Sequence, residues 1–425
     1  SSPQLVQKQD MGLVSPISEH WRKEQAKGYS ATSQKRLERR VIVLTKHDEL
    51  LCHQTVSTFD SVESSAREWT ERIWIAVYDT SGEFLLLAGF GMYANRNIMD
   101  AFACLNIKGE TQYNVRASRE LRPTIDEVKV GPFSYHIVEP LKKVRFILGE
   151  NDYDLSFQVD LEGTMPPHEE EPQVAKERGR VLENILRYVQ GGKASGWIKA
   201  EGKRYKVSKE NWRCLRDHSW GIRRGGGVPE TGVQPGEIPI GYLHNFSFMQ
   251  FDDFGISHHT RESWDSKTLL FSGAIFYPYE SGKEELPLTS VEHYYRFRPD
   301  LRRITGGTLI FNAVDGSKIE ISMRALAFCC LKPGGYFGHR GFVHGLWMGP
   351  SYLDGYKLDL TDPEVVREVS FLDEVLCEMH CGDKIGYGII ELVIVGKYPQ
   401  YGYQDWEPTA DPNYISGNVA SDSGG

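Results

Sequence analysis

At 425 residues, the chain is too long for a single small domain, and its net charge of -9 supplies no overall basic field for a phosphate backbone. No long Lys/Arg run accompanies stacking aromatics, which argues against nucleic acid as a partner, and no apolar run approaches the roughly 20 residues of a membrane helix. The seven cysteines, Cys52, Cys104, Cys214, Cys329, Cys330, Cys377 and Cys381, are odd in number and scattered, in a chain too large to need stapling, so reduced thiols are expected. With no signal-peptide h-region at the start, the chain reads as cytoplasmic, without stable membrane insertion.

Residues 1–40 are polar and charged, an arm with too few apolar residues for a core of its own. Strand signals follow. "RIWIAVYDTSGEFLLLAGFGMY" is two apolar runs about a Thr-Ser-Gly turn, and "KKVRFILGENDYDLSFQVDLEGT" repeats the design, so both predict antiparallel hairpins. Between them "QYNVRASRELRP" and "FSYHIVEP" are short strands at the spacing of a sandwich or barrel, with no βαβ rhythm. The acidic "GTMPPHEEEPQVAKERG" reads as a solvated linker. The following "RVLENILRYV" reads as a helix with Val181, Ile185 and Tyr188 on one face. A second β region runs from "ASGWIKAEGKRYKV" to "GIIELVIVGKYP", with a hairpin at "GGTLIFNAVDGSKIEISMRAL" and a long strand at "TLLFSGAIFYPY". Its one expected helix is "TDPEVVREVSFLDEVL", capped by Thr361 with Pro363 in the first turn. The division is then an arm over 1–40, one lipocalin-like β domain over 41–190, a second over 191–406, and a loose tail over 407–425.

The stretch "CLRDHSWGIRRGGG" sets an acid, an imidazole, an indole and guanidiniums side by side. If it is extended, alternation places His218 and Trp220 on one face and Asp217, Ser219 and Arg223 nearer the other. In "GYLHNFSFMQFDDFG" the same rule gathers Tyr242, His244, Phe246, Phe248, Gln250 and Asp252 on one side, an aromatic and protonatable face that suits a ligand cavity or an ordinary polar core rim. His258 and His259 face opposite ways, so at most one of them, taken as His258, joins that face, with Tyr277 from the next strand. Asp252 is a general acid or base if buried, but Asp-Asp-Phe-Gly is also ordinary turn chemistry. Asp100 reads as a turn or cap residue. His339, His344, Cys377, His380 and Cys381 lack zinc spacing, so no metal is expected. No nucleophile elbow, phosphate loop or dinucleotide fingerprint occurs, and no cofactor is expected.

At "RDHSWG" the chain resembles the carotenoid 1,2-hydratase (hydroxyneurosporene synthase) superfamily, tandem lipocalin-like β proteins in which an Asp-His-x-Trp-Gly element opens the second barrel. "ASGWIKAEGKRYKV" resembles the family's lead-in strand, and the likeness runs from about residue 40 to about residue 405. It implies an all-β fold of two consecutive lipocalin-like antiparallel barrels or sandwiches with few short helices. His218 matches the motif's functional histidine, Trp220 its functional tryptophan and Asp217 the acidic place before them. The family's Tyr-x-Asp pair is absent from "FSFMQFDDFGISHHTRE", which leaves Asp252 or a neighbouring histidine as its substitute. Relatives include double-bond hydratases, pericyclic cyclases and lipid binders.

The resulting expectation is a lyase or isomerase of hydratase type acting on a C=C bond or tertiary alcohol of a hydrophobic terpenoid, steroid or prenyl-aromatic substrate. Its catalytic residues are drawn from His218, Asp217, Asp252 and His244, and its substrate-binding residues from Trp220, Tyr242, Phe246, Phe248, Gln250, His258 and Tyr277. A carrier of a hydrophobic small molecule and a cyclase working by shape are the alternatives, and a homodimer is compatible with each. All three require the rings of His218 and Trp220 to look together into a hollow enclosed by the second barrel.

Overall fold

The computed structural model describes residues 44–53, 55–223, 233, 240–407 and 409. The arm expected over 1–40, the glycine run Gly225–Gly227 and most of the tail lie outside the described residues. The chain divides into compact units at Asp60 and Ser61. In the first, Thr45 caps the 3-10 helix Lys46–Glu49: its hydroxyl accepts from the His47 amide at 3.1 Å, while the Asp48 carboxylate accepts from the Thr45 amide at 2.6 Å.

The second unit is all-β, an open antiparallel sheet followed by a closed antiparallel barrel, with few short helices. The first sheet holds β1 (Trp69–Asp79), β2 (Phe84–Tyr93), β3 (Ile98–Ile107), β4 (Thr111–Glu120), β5 (Lys129–Val130), β6 (Phe133–Glu139), β7 (Lys143–Leu148), β8 (Leu155–Gly163), β9 (His168–Glu169), β10 (Gln173–Glu177), β11 (Arg180–Ala200), β12 (Lys203–Val207) and β13 (Trp212–Ile222). The two expected hairpins are β1–β2 and β7–β8. Strand order is β4-β3-β2-β1-β13-β11-β8-β7-β6-β5, and the sheet curls so that Phe90 on β2 meets Phe146 on β7 with ring centroids 5.1 Å apart. Its concave face is a cup lined by Ile75, Leu86, Phe90, Val115, Phe133 and Phe146.

The helix expected over "RVLENILRYV" is instead the first half of β11. Arg178 and Gly179, with φ of 48° and 78°, form a tight turn that folds β10 back on it, and β13 pairs its other edge from Asn184. Ladder hydrogen bonds on both edges outweigh a helical periodicity that rests on only three residues. The boundary expected between 190 and 191 falls inside this strand, and the open sheet gives way to the barrel between Ile222 and Gly241.

The barrel closes through β14 (Gly241–Gln250), β15 (Gly255–Ser263), β16 (Thr268–Phe276), β17 (Leu286–Phe297), β18 (Ile304–Ala313), β19 (Lys318–Cys330), β21 (Asp373–Cys381) and β22 (Lys384–Gly396). Its interior is packed by Leu243, Ile256, Leu309, Phe311, Met323 and Ile390. Between β19 and β21 the chain leaves to add β20 (Ser351–Asp359) to the free edge of β4. The expected helix shortens to α1 (Pro363–Val369), capped by Asp362 rather than Thr361, and the rest of that segment becomes β21. The two sheets meet along a seam where Trp74, Leu85, Phe102 and Leu215 pack on Phe248, Phe276, Leu376 and Ile389. Among the described residues no helix is long and apolar enough to cross a membrane.

Candidate functional site

Alternation along β13 divides the opening motif between two places. Register with β1 and β11 confirms that β13 is a central strand of the open sheet; it does not open the barrel. Arg216, His218 and Trp220 turn to the cup, while Leu215, Asp217 and Ser219 turn to the seam. His218 Nε2 lies 2.8 Å from a Glu71 carboxylate oxygen, its Nδ1 is 3.4 Å from the Tyr188 hydroxyl, and its ring centroid is 5.3 Å from that of Trp220. The two rings do share a face, but it is the half-buried mouth of the cup, and the barrel is filled by its own core.

The strand β14 places Tyr242, His244, Phe246, Phe248 and Gln250 on the outer face of the barrel, toward the seam, with Leu243 and Met249 inside. Phe248 is fully buried against Phe276, with ring centroids 5.2 Å apart, and Gln250 donates to the Tyr78 hydroxyl at 3.0 Å and the Cys214 carbonyl at 2.9 Å, so both are packing residues. Tyr242 is half-buried at the start of the strand. Asp252 sits in the exposed turn closed by the Phe251 amide and the Phe254 carbonyl. It borders a cavity of about 320 Å³ with Lys142, Arg213 and Gln250. Tyr277 packs against the barrel core with Lys283 over its ring.

Of the paired histidines the structure brings His259, not His258, to the seam. His258 points inside the barrel, hydrogen-bonded to Ser247 and 5.2 Å from the Phe311 ring, and burial drives its pKa down to about 3. His259 joins a continuous hydrogen-bonded chain. Arg187 and Gln173 both present N–H groups to His259 Nδ1, at 3.2 and 3.3 Å, which makes that nitrogen an acceptor and puts the proton on Nε2. From there His259 Nε2 donates to His244 Nδ1 at 3.2 Å, and His244 Nε2 donates to Glu391 at 2.6 Å. Burial lowers the His259 pKa to about 3, consistent with a neutral ring.

Glu391 on β22 and Glu374 on β21 stand opposite each other in the ladder. Burial would raise both carboxyls. His244 above all, with Glu374 and Arg187, holds Glu391 at about 2, whereas burial and the Glu391 charge push Glu374 well above the carboxylate range. A proton held by the pair therefore favours Glu374 over Glu391.

From the open sheet, Glu170 accepts from Arg187 Nε at 2.9 Å and Nη2 at 2.7 Å, and Asp217 lies 3.7 Å from Arg187 Nη1. Burial raises the Asp217 carboxyl above its usual range in spite of Arg187 and Arg223. The expected solvated linker around "HEEEP" is thus partly interior: Glu170 anchors Arg187, and His168 is buried 2.9 Å from Glu285. Asp100 is likewise a buried strand residue, accepting from the Gly345 amide at 2.7 Å, and not a turn or cap. Arg187, Asp217, His244 and Glu391 keep 12 to 19 % exposure although they lie between two packed sheets, so they line a crevice.

Sequence reasoning had named Asp217, His244 and Phe246 of this group and missed Glu170, Arg187, His259, Glu374 and Glu391. A signal existed for the last of these: Glu391 is a lone carboxylate in the apolar strand "GIIELVIV", whereas Glu374 follows Asp373 in "DEVLC".

The sequence matches the family of unknown function (DUF8625) over residues 44–404. No curated protein matches. The fold is similar to that in the crystal structure of CghA with Sch210972, at 10% identity over 77% of this chain and 88% of that one, with a TM-score of 0.45. Kievitone hydratase from Nectria haematococca is similar at 12% identity over 79% of this chain and 89% of that one, with a TM-score of 0.38.

Proposed function

Because the chain belongs to the family of unknown function DUF8625, we propose from the geometry of the seam itself that the protein is a lyase or isomerase of hydratase type, with side chains as its acid and base. One observation carries this: a carboxyl raised by burial, Asp217, and a carboxylate–imidazole pair, Glu391 with His244, reach the same crevice from opposite sheets around Arg187. In dehydration, Asp217 gives its proton to the departing hydroxyl as the C–O bond breaks and water leaves. Glu391 takes the proton from the neighbouring carbon, and the electron pair of that C–H bond becomes the new C=C bond. Hydration is the reverse. The chain from Glu391 through His244 to His259 holds the base in place. The substrate class, a hydrophobic alkene or tertiary alcohol, follows the family resemblance at "RDHSWG" and the apolar flanks of Trp74 and Phe246. His218 faces the cup and takes no part in this reaction.

Mass spectrometry of small molecules released on denaturing the purified protein identifies the ligand class, and turnover is then read as gain or loss of water. Asp217→Asn and His244→Ala are expected to retain ligand affinity and lose about 100-fold or more in rate, while His218→Ala stays near wild type. The rate should fall as pH rises and Asp217 ionises. Binding without turnover of any alkene or tertiary alcohol makes the protein a carrier. Loss of turnover in His218→Ala but not in His244→Ala moves the chemistry to the cup.

A further inference from the structure

The three adjacent strands that line the seam put two guanidiniums in register. Ser219 on β13 pairs with Arg72 on β1 and with Arg187 on β11, so like charges flank one small, buried hydroxyl. With strands about 4.8 Å apart, their Cα atoms are only about 10 Å from each other, within easy reach of two arginine side chains. Arg223 folds back over the same spot and donates to Ser219 Oγ at 3.0 Å.

The neighbouring acceptors do not balance these donors. Glu170 is taken by Arg187, Asp100 by the Gly345 amide and the Tyr93 hydroxyl, and Glu391 by His244, while Asp217, the carboxyl that faces Arg72, Arg187 and Arg223, is raised by burial, so one carboxyl serves three guanidiniums. Arg72 makes no hydrogen bond or close ion pair among the described residues; it stacks on Tyr336, 4.6 Å from the ring centroid, and feels Asp100 and Asp217 only through space. Trp74, on the same face two residues along β1 and 7 % exposed, has an indole N–H without an acceptor. The Arg223 guanidinium is depressed, first by burial and then by Arg72 and Arg187, against the opposing pull of Asp217, as expected where cations outnumber the carboxyls beside them. What is missing is an acceptor with two coplanar oxygens, the shape a guanidinium binds best.

We infer that the ligand of the seam carries a carboxylate, bound by Arg72 and Arg223 over Ser219, with its apolar body along Trp74 and Phe246. This rests on reading the seam as the reaction site, and it orients the substrate by its charge while leaving Asp217 and Glu391 for the bond-making.

The test uses 1-naphthoate and its neutral isostere 1-naphthamide, titrated calorimetrically into the full chain. Naphthoate is expected to bind about tenfold tighter than the amide or better. Arg72→Met and Arg223→Met should bring the two probes to parity, and Arg72→Lys should keep part of the preference. The surface variant Lys384→Met should keep all of it. Melting of Arg72→Met at or above the wild-type temperature confirms that it folds. Equal binding of both probes, no binding at millimolar concentration, or a preference that survives both methionine variants overturns the inference. If the preference behaves as expected but Asp217→Asn retains turnover, the acid–base reading falls and the carboxylate site stands. If Asp217→Asn abolishes turnover and naphthoate has no advantage, this inference falls alone.

Discussion

Glu374 and Glu391 show how two like side chains take opposite roles from their surroundings. Glu391 has His244 and Arg187 to favour its charge; Glu374 has the interior and the carboxyls of Glu391, Asp217 and Asp373 to oppose it. The raised Glu374 carboxyl stays neutral in the folded protein while it ionises in the unfolded chain, so its contribution to stability is full below its ordinary 4.5 and is lost as pH rises above that value. Glutamine keeps the shape and removes the titration. Glu374→Gln should therefore gain in melting temperature over the wild type as pH is raised from about 5 to 9, with the curves converging toward pH 4.5. A gap that narrows with rising pH would contradict the assignment. Glu391 has the opposite sign: its depressed pKa supplies stability above 4.5 that fades as pH falls toward about 2. Glu391→Gln should cost about 3 kcal/mol in chemical denaturation at neutral pH, because a buried network loses its charge. Glu391 stands out in the sequence, alone in an apolar run, whereas Glu374 is one of two adjacent carboxyls. That they face one another depends on the β21–β22 register, and the charge difference between them on Arg187, about 200 positions before Glu391, which no local pattern encodes.

Alternation in β13 and β14 was readable from residue types alone, because a strand has only two faces and the apolar side must be covered. The readable pattern gave the companions on each face. It could not say which face met the barrel, or that the barrel would fill its interior and turn His244 and Phe246 outward. The pattern misled in "RVLENILRYV", where a helical spacing of three residues lost to ladders on both edges of β11, and in "TDPEVVREVSFLDEVL", whose second half pairs with β19 and β22. The glycines of β11 had a role the sequence did not reveal. A Cβ on Gly191 would stand 2.2 Å from Phe248 Cε1 and 2.6 Å from its Cζ, so the seam closes only over a residue without a side chain. Gly191→Ala should destabilise by about 1 to 3 kcal/mol through overpacking. Phe248→Leu should recover part of that loss in the double variant, and a double-mutant cycle in urea measures the coupling. Additive losses would mean that the alanine is accommodated by moving the backbone instead.

The sheets are tied by more than the seam. The open sheet takes β20 from a point in the chain after most of the barrel has formed, so β4 has its edge covered only when the later half is in place. Arg116 on β4, 1 % exposed, fixes this return: it donates to Asp354 at 3.0 and 2.8 Å and to the carbonyls of His339 at 2.7 Å and Arg340 at 3.3 Å. Methionine at 116 would leave those carbonyls without their donor and Asp354 without its partner, a loss of about 3 kcal/mol or more. If the halves were independent, only the open sheet would feel it, and calorimetry would resolve an early transition from an unshifted later one. Because the barrel shares the Trp74–Phe248 core and lends β20 across the divide, Arg116→Met should instead lower a single transition, with calorimetric and van't Hoff enthalpies still equal. By the same reasoning, residues 61–223 expressed alone would expose the β4 edge and the seam face together, and should aggregate where the full chain does not.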